Sequence, residues 1–161
     1  MLTLEAMDAC ELLDADHIAV KHLFVEYARL AHAAPQESVD QRTELAQKIC
    51  AELTVHAQVE EEVFYPALRD AAPDAAALLD EAQQEHQEAK QMIAGIQALG
   101  TASPDMDTLV AKLAWAVEQH VKEERDMLFP KARTCGLDLV SLAEQLSERQ
   151  EAAQALKSSP G

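Results

Sequence analysis

The sequence predicts an all-α protein, an up-down-up-down four-helix bundle with an additional short C-terminal helix. Its 161 residues include only 4 glycines and 6 prolines. Alanine, leucine, glutamate and glutamine dominate, and this composition is typical of helices rather than sheets. The few helix-breaking residues divide the chain into long blocks joined by short connections. Helices joined in this way pack as antiparallel neighbours, which favours a bundle.

Helix-breaking residues mark the ends of five predicted helical blocks. Pro73 and Pro104 suit first-turn positions, Ser103 suits an N-cap, and Gly100 and Gly136 suit C-terminal caps. Between these residues apolar side chains recur every three or four positions, as they do in amphipathic helices. The predicted blocks cover about residues 8–33 (with a second candidate start near 16), 38–69, 73–99, 104–134 and 138–156.

We expect residues 1–161 to form a single domain. A chain of this length buries a substantial core, and no connection is long or polar enough to separate two domains. The bundle should cover about residues 8–134. The additional helix should cover about residues 138–156 and pack across one end or one side of the bundle.

The charge of the chain argues against two classes of partner. Lysine and arginine total 13 against 29 aspartates and glutamates, so the formal net charge is −16. Such a surface repels phosphate backbones and anionic lipids, so we expect neither nucleic-acid nor membrane binding. The first twenty residues have no basic start, and no apolar run is long enough to span a bilayer. Three widely spaced cysteines without a C-x-x-C pair fit a reducing cytoplasm.

One motif occurs twice, as HAQVEEEVFYP at residues 56–66 and as HVKEERDMLFP at residues 120–130. In each copy a glutamate follows the histidine by four positions, as Glu60 or Glu124, and therefore lies on the same helical face. Imidazole nitrogen and carboxylate oxygen together suit divalent iron, manganese or zinc. A single H-x-x-x-E pair is weak evidence for a metal, but the repeat on two helices strengthens it.

Each motif is preceded, one helix earlier, by a further histidine, His17 or His86. Each helical hairpin therefore supplies one half of a candidate two-metal site, with two histidines per metal and two glutamates bridging. Such a set leaves coordination positions open for water, an oxo group or a small ligand. The alternative is four unrelated buried histidines, with Glu60 and Glu124 in solvent. Burying histidine and glutamate without partners is costly, so we favour the metal site.

The motifs resemble those of bacterial hemerythrin-like (HHE cation-binding) domains over nearly the whole chain. The resemblance includes LLDADHIAVKHLFVEY, HAQVEEEVFYPAL, HVKEERDMLFPKA and GLDLVSLAEQL. It implies a non-haem di-iron cofactor with an oxo or hydroxo bridge, for which manganese or zinc are substitutes. The implied ligands, among which Glu60 and Glu124 bridge the irons, are His17, His56, Glu60, His86, His120 and Glu124.

The sequence departs from the oxygen-carrying hemerythrins at two positions. Lys90 stands where those proteins have a further histidine, and Arg125 stands where they have an aspartate. The resemblance therefore implies a protein that binds or reacts with dioxygen, nitric oxide or peroxide, in sensing or detoxification, rather than an oxygen carrier. Peroxidase-like, catalase-like and nitric-oxide-consuming activities stay open. The alternative is iron storage or iron donation for iron–sulfur cluster repair, and the chain is either a monomer or a dimer.

Other polar and aromatic residues are predicted to lie outside the ligand set. His22 is two-fifths of a turn from His17 and should face away from the site. Tyr65 follows His56 by nine residues, half-way round a regular helix, and should pack in the core. We expect Lys90 to snorkel or to form an ion pair, and the alternative is a cation near bound anions or peroxide. Glu61 should face solvent, and the alternative is that it completes a coordination shell. We expect Trp115 to pack inside the bundle.

Overall fold

The computed structural model describes residues 7–158, and this part of the chain is helical with no β-strand. The predicted all-helical class is therefore confirmed. The α-helices are α1 (Ala9–Ala33), α2 (Val39–Val59), α3 (Tyr65–Ala71), α4 (Ala76–Leu99), α5 (Pro104–Glu123), α6 (Phe129–Thr134) and α7 (Leu139–Ser158). Two π-helical segments, π1 (Glu60–Phe64) and π2 (Glu124–Leu128), join α2 to α3 and α5 to α6, and a 3₁₀ turn (Pro73–Ala75) precedes α4.

Residue types with known capping preferences lie at several helix ends. Asp8 caps α1 in a capping box, in which its carboxylate accepts the Glu11 N–H at 2.8 Å. Ser103 caps α5, and Gly100 ends α4 in the left-handed conformation with φ 74°. Helix α1 continues without a break through Asp16, so the second candidate start is not used.

The two π segments begin at the glutamates of the repeated motif. The Tyr65 N–H donates to the Glu60 carbonyl, and the Phe129 N–H donates to the Glu124 carbonyl, in the wider i→i+5 pattern. A proline follows each segment. Proline lacks an N–H, and its ring crowds the carbonyl four residues earlier in a regular α-helix, so a wider turn relieves the conflict. The repeated proline thus changes the helical register beside the site.

The helices pack around two clusters of buried apolar side chains. Helix α4 packs against α5, α1 packs against α2 and α5, and α7 lies against α1, α2 and π1. One cluster includes Leu13, Leu79 and Leu128, and the other includes Val20 and Leu113. In α1, α4 and α5 the motif histidine lies between a residue of one cluster and a residue of the other. The candidate site therefore sits at mid-height, where apolar packing closes it from both ends.

Trp115 does not pack inside the bundle as predicted. Its side chain is 66% exposed. The buried face of α5 includes Leu113, and Trp115 lies two positions later, about 200° further round the helix, on the outward side. Among the described helices, none combines the length and apolar character needed to cross a bilayer.

Candidate metal centre

The six residues predicted as metal ligands meet at one point of the interior. The four histidines are 6–8% exposed, and both glutamates are 0% exposed. They come from α1, α2 with π1, α4, and α5 with π2. His22 and His32 are exposed and lie away from this point, as predicted for His22. The residues brought together are His17, His56, Glu60, His86, His120 and Glu124.

Their side chains form two overlapping groups of candidate metal-binding atoms. One group is His17, His56, Glu60 and Glu124, and the other is Glu60, His86 and His120, each with donor atoms within 4.8 Å of one another. Glu60 belongs to both groups, and its Oε1 lies 3.2 Å from the Nε2 atoms of both His56 and His86. Glu124 Oε1 lies 3.1 Å from His17 Nε2 and 3.6 Å from His120 Nε2. Two carboxylates thus lie between four imidazoles.

The donor chemistry fits a pair of divalent cations. Glu60 Oε2 and Glu124 Oε1 are fully buried and accept no hydrogen bond. The Nε2 atoms of His17 and His56 are 3.0 Å apart, so at most one of them carries a proton at that contact. Buried carboxylate oxygens without partners are costly, and metal ions would accept their lone pairs together with those of the imidazoles. Imidazole and carboxylate donors suit iron, manganese and zinc.

Each imidazole is oriented by a carboxylate on its outer nitrogen. Such hydrogen bonds hold the proton on Nδ1 and direct the Nε2 lone pair inward. Every one of the four histidines has a partner of this kind. The Nδ1–oxygen distances are 3.3 Å for His17 with Asp14, 3.2 Å for His56 with Asp16, 2.8 Å for His86 with Glu61 and 2.8 Å for His120 with Glu85.

These four outer carboxylates were not identified from the sequence. The prediction that Glu61 faces solvent was wrong, because its carboxylate is held between His86 Nδ1 and Lys90 Nζ, which is 3.1 Å away. The ion pair predicted for Lys90 is present. Asp14 lies three residues before His17, and this spacing on one helical face was a usable signal. The other partners bond across helices, and no local spacing reveals such pairs.

Tyr65 is buried in the core, as predicted, but its hydroxyl also reaches the centre, which the prediction did not include. Its hydroxyl donates to Glu124 Oε2 at 2.9 Å and lies 3.3 Å from His120 Nε2. The prediction assumed a regular helix, in which nine residues after His56 give two and a half turns. Segment π1 has more residues per turn and therefore rotates Tyr65 less far. The phenol consequently faces the carboxylates.

The buried charges shift the pKa values of the site without metal. Burial alone would lower the pKa of His56, but the Glu60 carboxylate and the hydrogen bond to Asp16 raise it to about 10. Burial also opposes protonation of His120, but the nearby Glu60 carboxylate and the hydrogen bond to Glu85 raise its pKa to about 11. These imidazoles are protonated at neutral pH in the metal-free protein, so metal ions must displace protons when they bind.

A small apolar cavity adjoins the imidazoles, with a volume of about 50 Å³. Thr54, Glu85 and Lys90 are among the residues that line it. The volume accommodates one or two molecules of the size of water. The apolar side chains that form most of its wall are Leu53, Ala57, Ala89, Ile93, Val117 and Val121.

Three comparisons relate the chain to known proteins. The sequence model of the family described as "Hemerythrin HHE cation binding domain" matches residues 8–132. A crystal structure of a hemerythrin HHE cation binding domain-containing protein from Mycobacterium kansasii superposes with a TM-score of 0.72 at 24% identity, and covers 93% of this chain and 89% of that one. This likeness shows the shared fold.

A relative from Nostoc sp., described as a DNA nickase, is 32% identical over 131 residues. The match includes 79% of this chain but only 34% of the relative, so the chain spans about a third of that protein's length. The family match extends from the start of α1 into α6 and includes all six residues of the buried cluster. The chain therefore belongs to the hemerythrin HHE cation-binding domain family.

Proposed function

We propose that this chain holds two metal ions, iron in the cell, and uses them to bind or react with small oxidants in sensing or detoxification. The ligands in this proposal are the four buried histidines with Glu60 and Glu124, the latter two shared between the metals. The helical runs that carry them are taken to form an up-down-up-down four-helix bundle, since only short connections separate them. The cytoplasm is the proposed location.

The observation that carries the proposal is the burial of two carboxylates among four inward-facing imidazole nitrogens. Glu60 and Glu124 are 0% exposed, and each has one oxygen without a hydrogen bond. A chain that buried these groups only for packing would leave one oxygen of each carboxylate without a hydrogen bond, at a cost of about 1–3 kcal/mol for each. Cations in the centre remove that cost.

The chain's own residues prepare the centre for such chemistry. The outer carboxylates accept the Nδ1 protons, so each Nε2 would present its lone pair to a metal ion once any proton on that nitrogen has been displaced. Tyr65 holds a proton 2.9 Å from Glu124 Oε2, in a position to donate it within the site. Bound iron would supply open coordination positions and electrons for a small oxidant. Apolar side chains form most of the cavity wall beside the imidazoles.

The size of the cavity supports small oxidants as the ligands. A volume of about 50 Å³ beside the imidazoles is large enough for dioxygen, nitric oxide or peroxide. Peroxidase-like, catalase-like or nitric-oxide-consuming turnover and simple binding both fit this volume, so the proposal covers an enzyme and a sensor alike.

Iron storage or donation for iron–sulfur cluster repair is the second candidate function. Glu81, Glu85 and Glu123 form an acidic group on the surface beside the centre, and Glu85 also contacts His120. Burial and the neighbouring Glu85 raise the pKa of Glu123 to about 7. A path of carboxylates from solvent to a ligand would assist cation loading and release, which iron handling requires.

We do not extend DNA nicking from the Nostoc relative to this chain. The match covers about a third of that protein, and a net charge of −16 opposes binding to a phosphate backbone. We propose that neither nucleic acid nor a membrane is a partner.

The first experiment is anaerobic loading with ferrous iron, followed by metal analysis and visible spectroscopy while air is admitted. We expect two irons per chain in the wild type and in H22A, whose exposed imidazole is on the same helix as His17. H17A should bind fewer than two. Equal iron content in H17A, H22A and the wild type, with no ligand-to-iron band, would contradict the proposal.

The same experiment separates the candidate functions. A band that forms in air and fades when oxygen is removed indicates reversible binding by a sensor. Consumption of many equivalents of peroxide or nitric oxide indicates an enzyme. Rapid transfer of the iron to an acceptor, without turnover of either oxidant, supports storage or donation.

A further inference from the structure

We propose that helix α7 positions the metal ligand His56 through Gln150 and Asp16, and that the two metal positions are therefore held unequally. The inference rests on the proposed function, in which His56 binds metal. Gln150 and Asp16 are positioning residues, since they act through His56. Helix α7 lies outside residues 8–132, the part of the chain that the family model matches.

A chain of polar contacts leads from α7 to the centre. Gln150 Nε2 donates to Asp16 at 3.4 Å from Oδ1 and 3.3 Å from Oδ2. Asp16 Oδ2 in turn accepts from His56 Nδ1 at 3.2 Å. The His56 Nε2 atom then faces Glu60 Oε1 at 3.2 Å. Gln150 thus orients the carboxylate that orients the imidazole.

Helix α7 is anchored firmly enough to act as a support. Its side chains Leu142, Leu146 and Ala153 are buried in the core cluster that also contains Phe64. On its polar side Arg149 pairs with Glu62 of π1 at 2.8 Å. The backbone that carries Gln150 is therefore held by apolar packing on one face and by an ion pair beside the ligand-bearing segment.

The other outer carboxylates are held from within the matched domain. Asp14 accepts from Arg125 Nε at 2.6 Å, and Glu61 accepts from Lys90 Nζ at 3.1 Å. Carboxylate oxygens of Glu85 and of Glu123 in α5 lie within 4.8 Å of each other. Among the hydrogen bonds within residues 7–158, the support of Asp16 comes from α7, and its donor is a neutral amide, whereas Asp14 and Glu61 accept from cations.

These contacts support His56 from α7, and His56 belongs to the group with His17 but not to the group with His86 and His120. Removal of a hydrogen-bond partner behind a metal ligand typically weakens metal binding by about 10–100-fold. Gln150 contacts Asp16 and not the ligand His56 itself, so we expect a loss of metal affinity near the lower end of that range.

The test is the release of zinc to a chromophoric chelator from the protein loaded with two Zn²⁺ per chain. Q150L should release one of its two ions about 10-fold faster than the wild type and the other at the unchanged rate. Q150E places a second carboxylate beside Asp16, so it should release that ion at least as fast as Q150L does. Q150K should restore slow release, because a lysine can donate to Asp16 as Lys90 does to Glu61.

The matched control is Q145L, which makes the same substitution on the exposed side of α7. It should release both ions like the wild type. Q150L could alter the helix content, which circular dichroism measures. In that case the role of Gln150 is tested by comparing Q150E with Q150K, because both variants carry a charge.

Two outcomes would overturn the inference. One is the same release rate in the wild type, Q150L and Q150E. The other is acceleration of both ions by an equal factor, since that would mean that α7 supports the whole centre. A wild type that binds fewer than two ions would instead contradict the proposed function, so the two failures are distinguishable.

Discussion

The Tyr65 hydroxyl is the group that connects the two halves of the site in the metal-free protein. It donates to Glu124 and lies 3.4 Å from Glu60 Oε1 and from His86 Nε2. Burial and the negative charges of Glu60 and Glu124 raise the pKa of this phenol well above its usual range, so it retains its proton. Tyr65 therefore acts as a hydrogen-bond donor to buried carboxylates that have oxygens without a hydrogen bond.

Replacement of Tyr65 by phenylalanine tests this role. Y65F leaves Glu124 Oε2 without its donor, so the free energy of unfolding of the metal-free protein should fall by about 1–3 kcal/mol. The variant should still bind two zinc ions, because the six proposed ligands remain. Urea denaturation and metal analysis provide the two measurements. Unchanged stability of metal-free Y65F would show that the hydrogen bond contributes nothing.

Arg42 of α2 joins its own helix to α5 and to the connection that follows α1. Its side chain is 2% exposed. It donates to Asp107 of α5, to Ser38 before α2 and to the Pro35 carbonyl in the connection from α1. Asp107 also accepts the Tyr27 hydroxyl of α1 at 2.7 Å. This one guanidinium therefore satisfies groups on a loop and on the ends of two helices.

Replacement of Arg42 by alanine should destabilise the protein by about 2–4 kcal/mol, because it leaves a cavity and several polar groups without partners. The measurement is the urea midpoint of the metal-free protein. R29A is the matched control, since Arg29 is exposed and pairs only with Glu26 in the same helix, and its midpoint should stay near that of the wild type. Equal midpoints for R42A and R29A would contradict this role.

For the molecule as a whole, the centre makes stability depend on pH in a direction set by its histidines. The pKa values of His56 and His120 are raised to about 10 and about 11, above the value of about 6.5 in an unfolded chain. Between these values the folded metal-free protein binds more protons than the unfolded one. Protonation therefore stabilises the fold fully below about pH 6.5, and this stabilisation is lost as the pH rises through about 10–11.

We accordingly expect the urea midpoint of the metal-free protein to fall between pH 7 and pH 10. The double variant H56A/H120A removes both imidazoles, so its midpoint should change much less over the same interval. Loading with Zn²⁺ should also flatten the profile, because bound metal replaces the protons and adds about 4 kcal/mol at a free concentration a thousand times Kd. A parallel decline in the wild type and the double variant would show that other groups cause it.

Much of the fold and the six-residue cluster followed from the sequence, because local rules govern them. Helix ends at Asp8, Gly100 and Ser103 depend on residues within one turn of each other. The H-x-x-x-E spacing places His56 and Glu60 on one face of a regular helix. Helix α2 is regular up to Val59, so the spacing holds for this pair. Whether the six residues bind metal stays a prediction.

Only the tertiary structure decided what surrounds those six residues. The wider turn of π1 rotates Tyr65 toward the centre. We attribute this wider turn to the proline that follows, and the effect of a proline on the preceding turn depends on how the helix is packed. The carboxylates on His56 and His120, and the contact from Gln150, join residues 35 to 134 positions apart. Helical periodicity relates side chains only to neighbours a few residues away, so contacts between helices are determined when the helices pack.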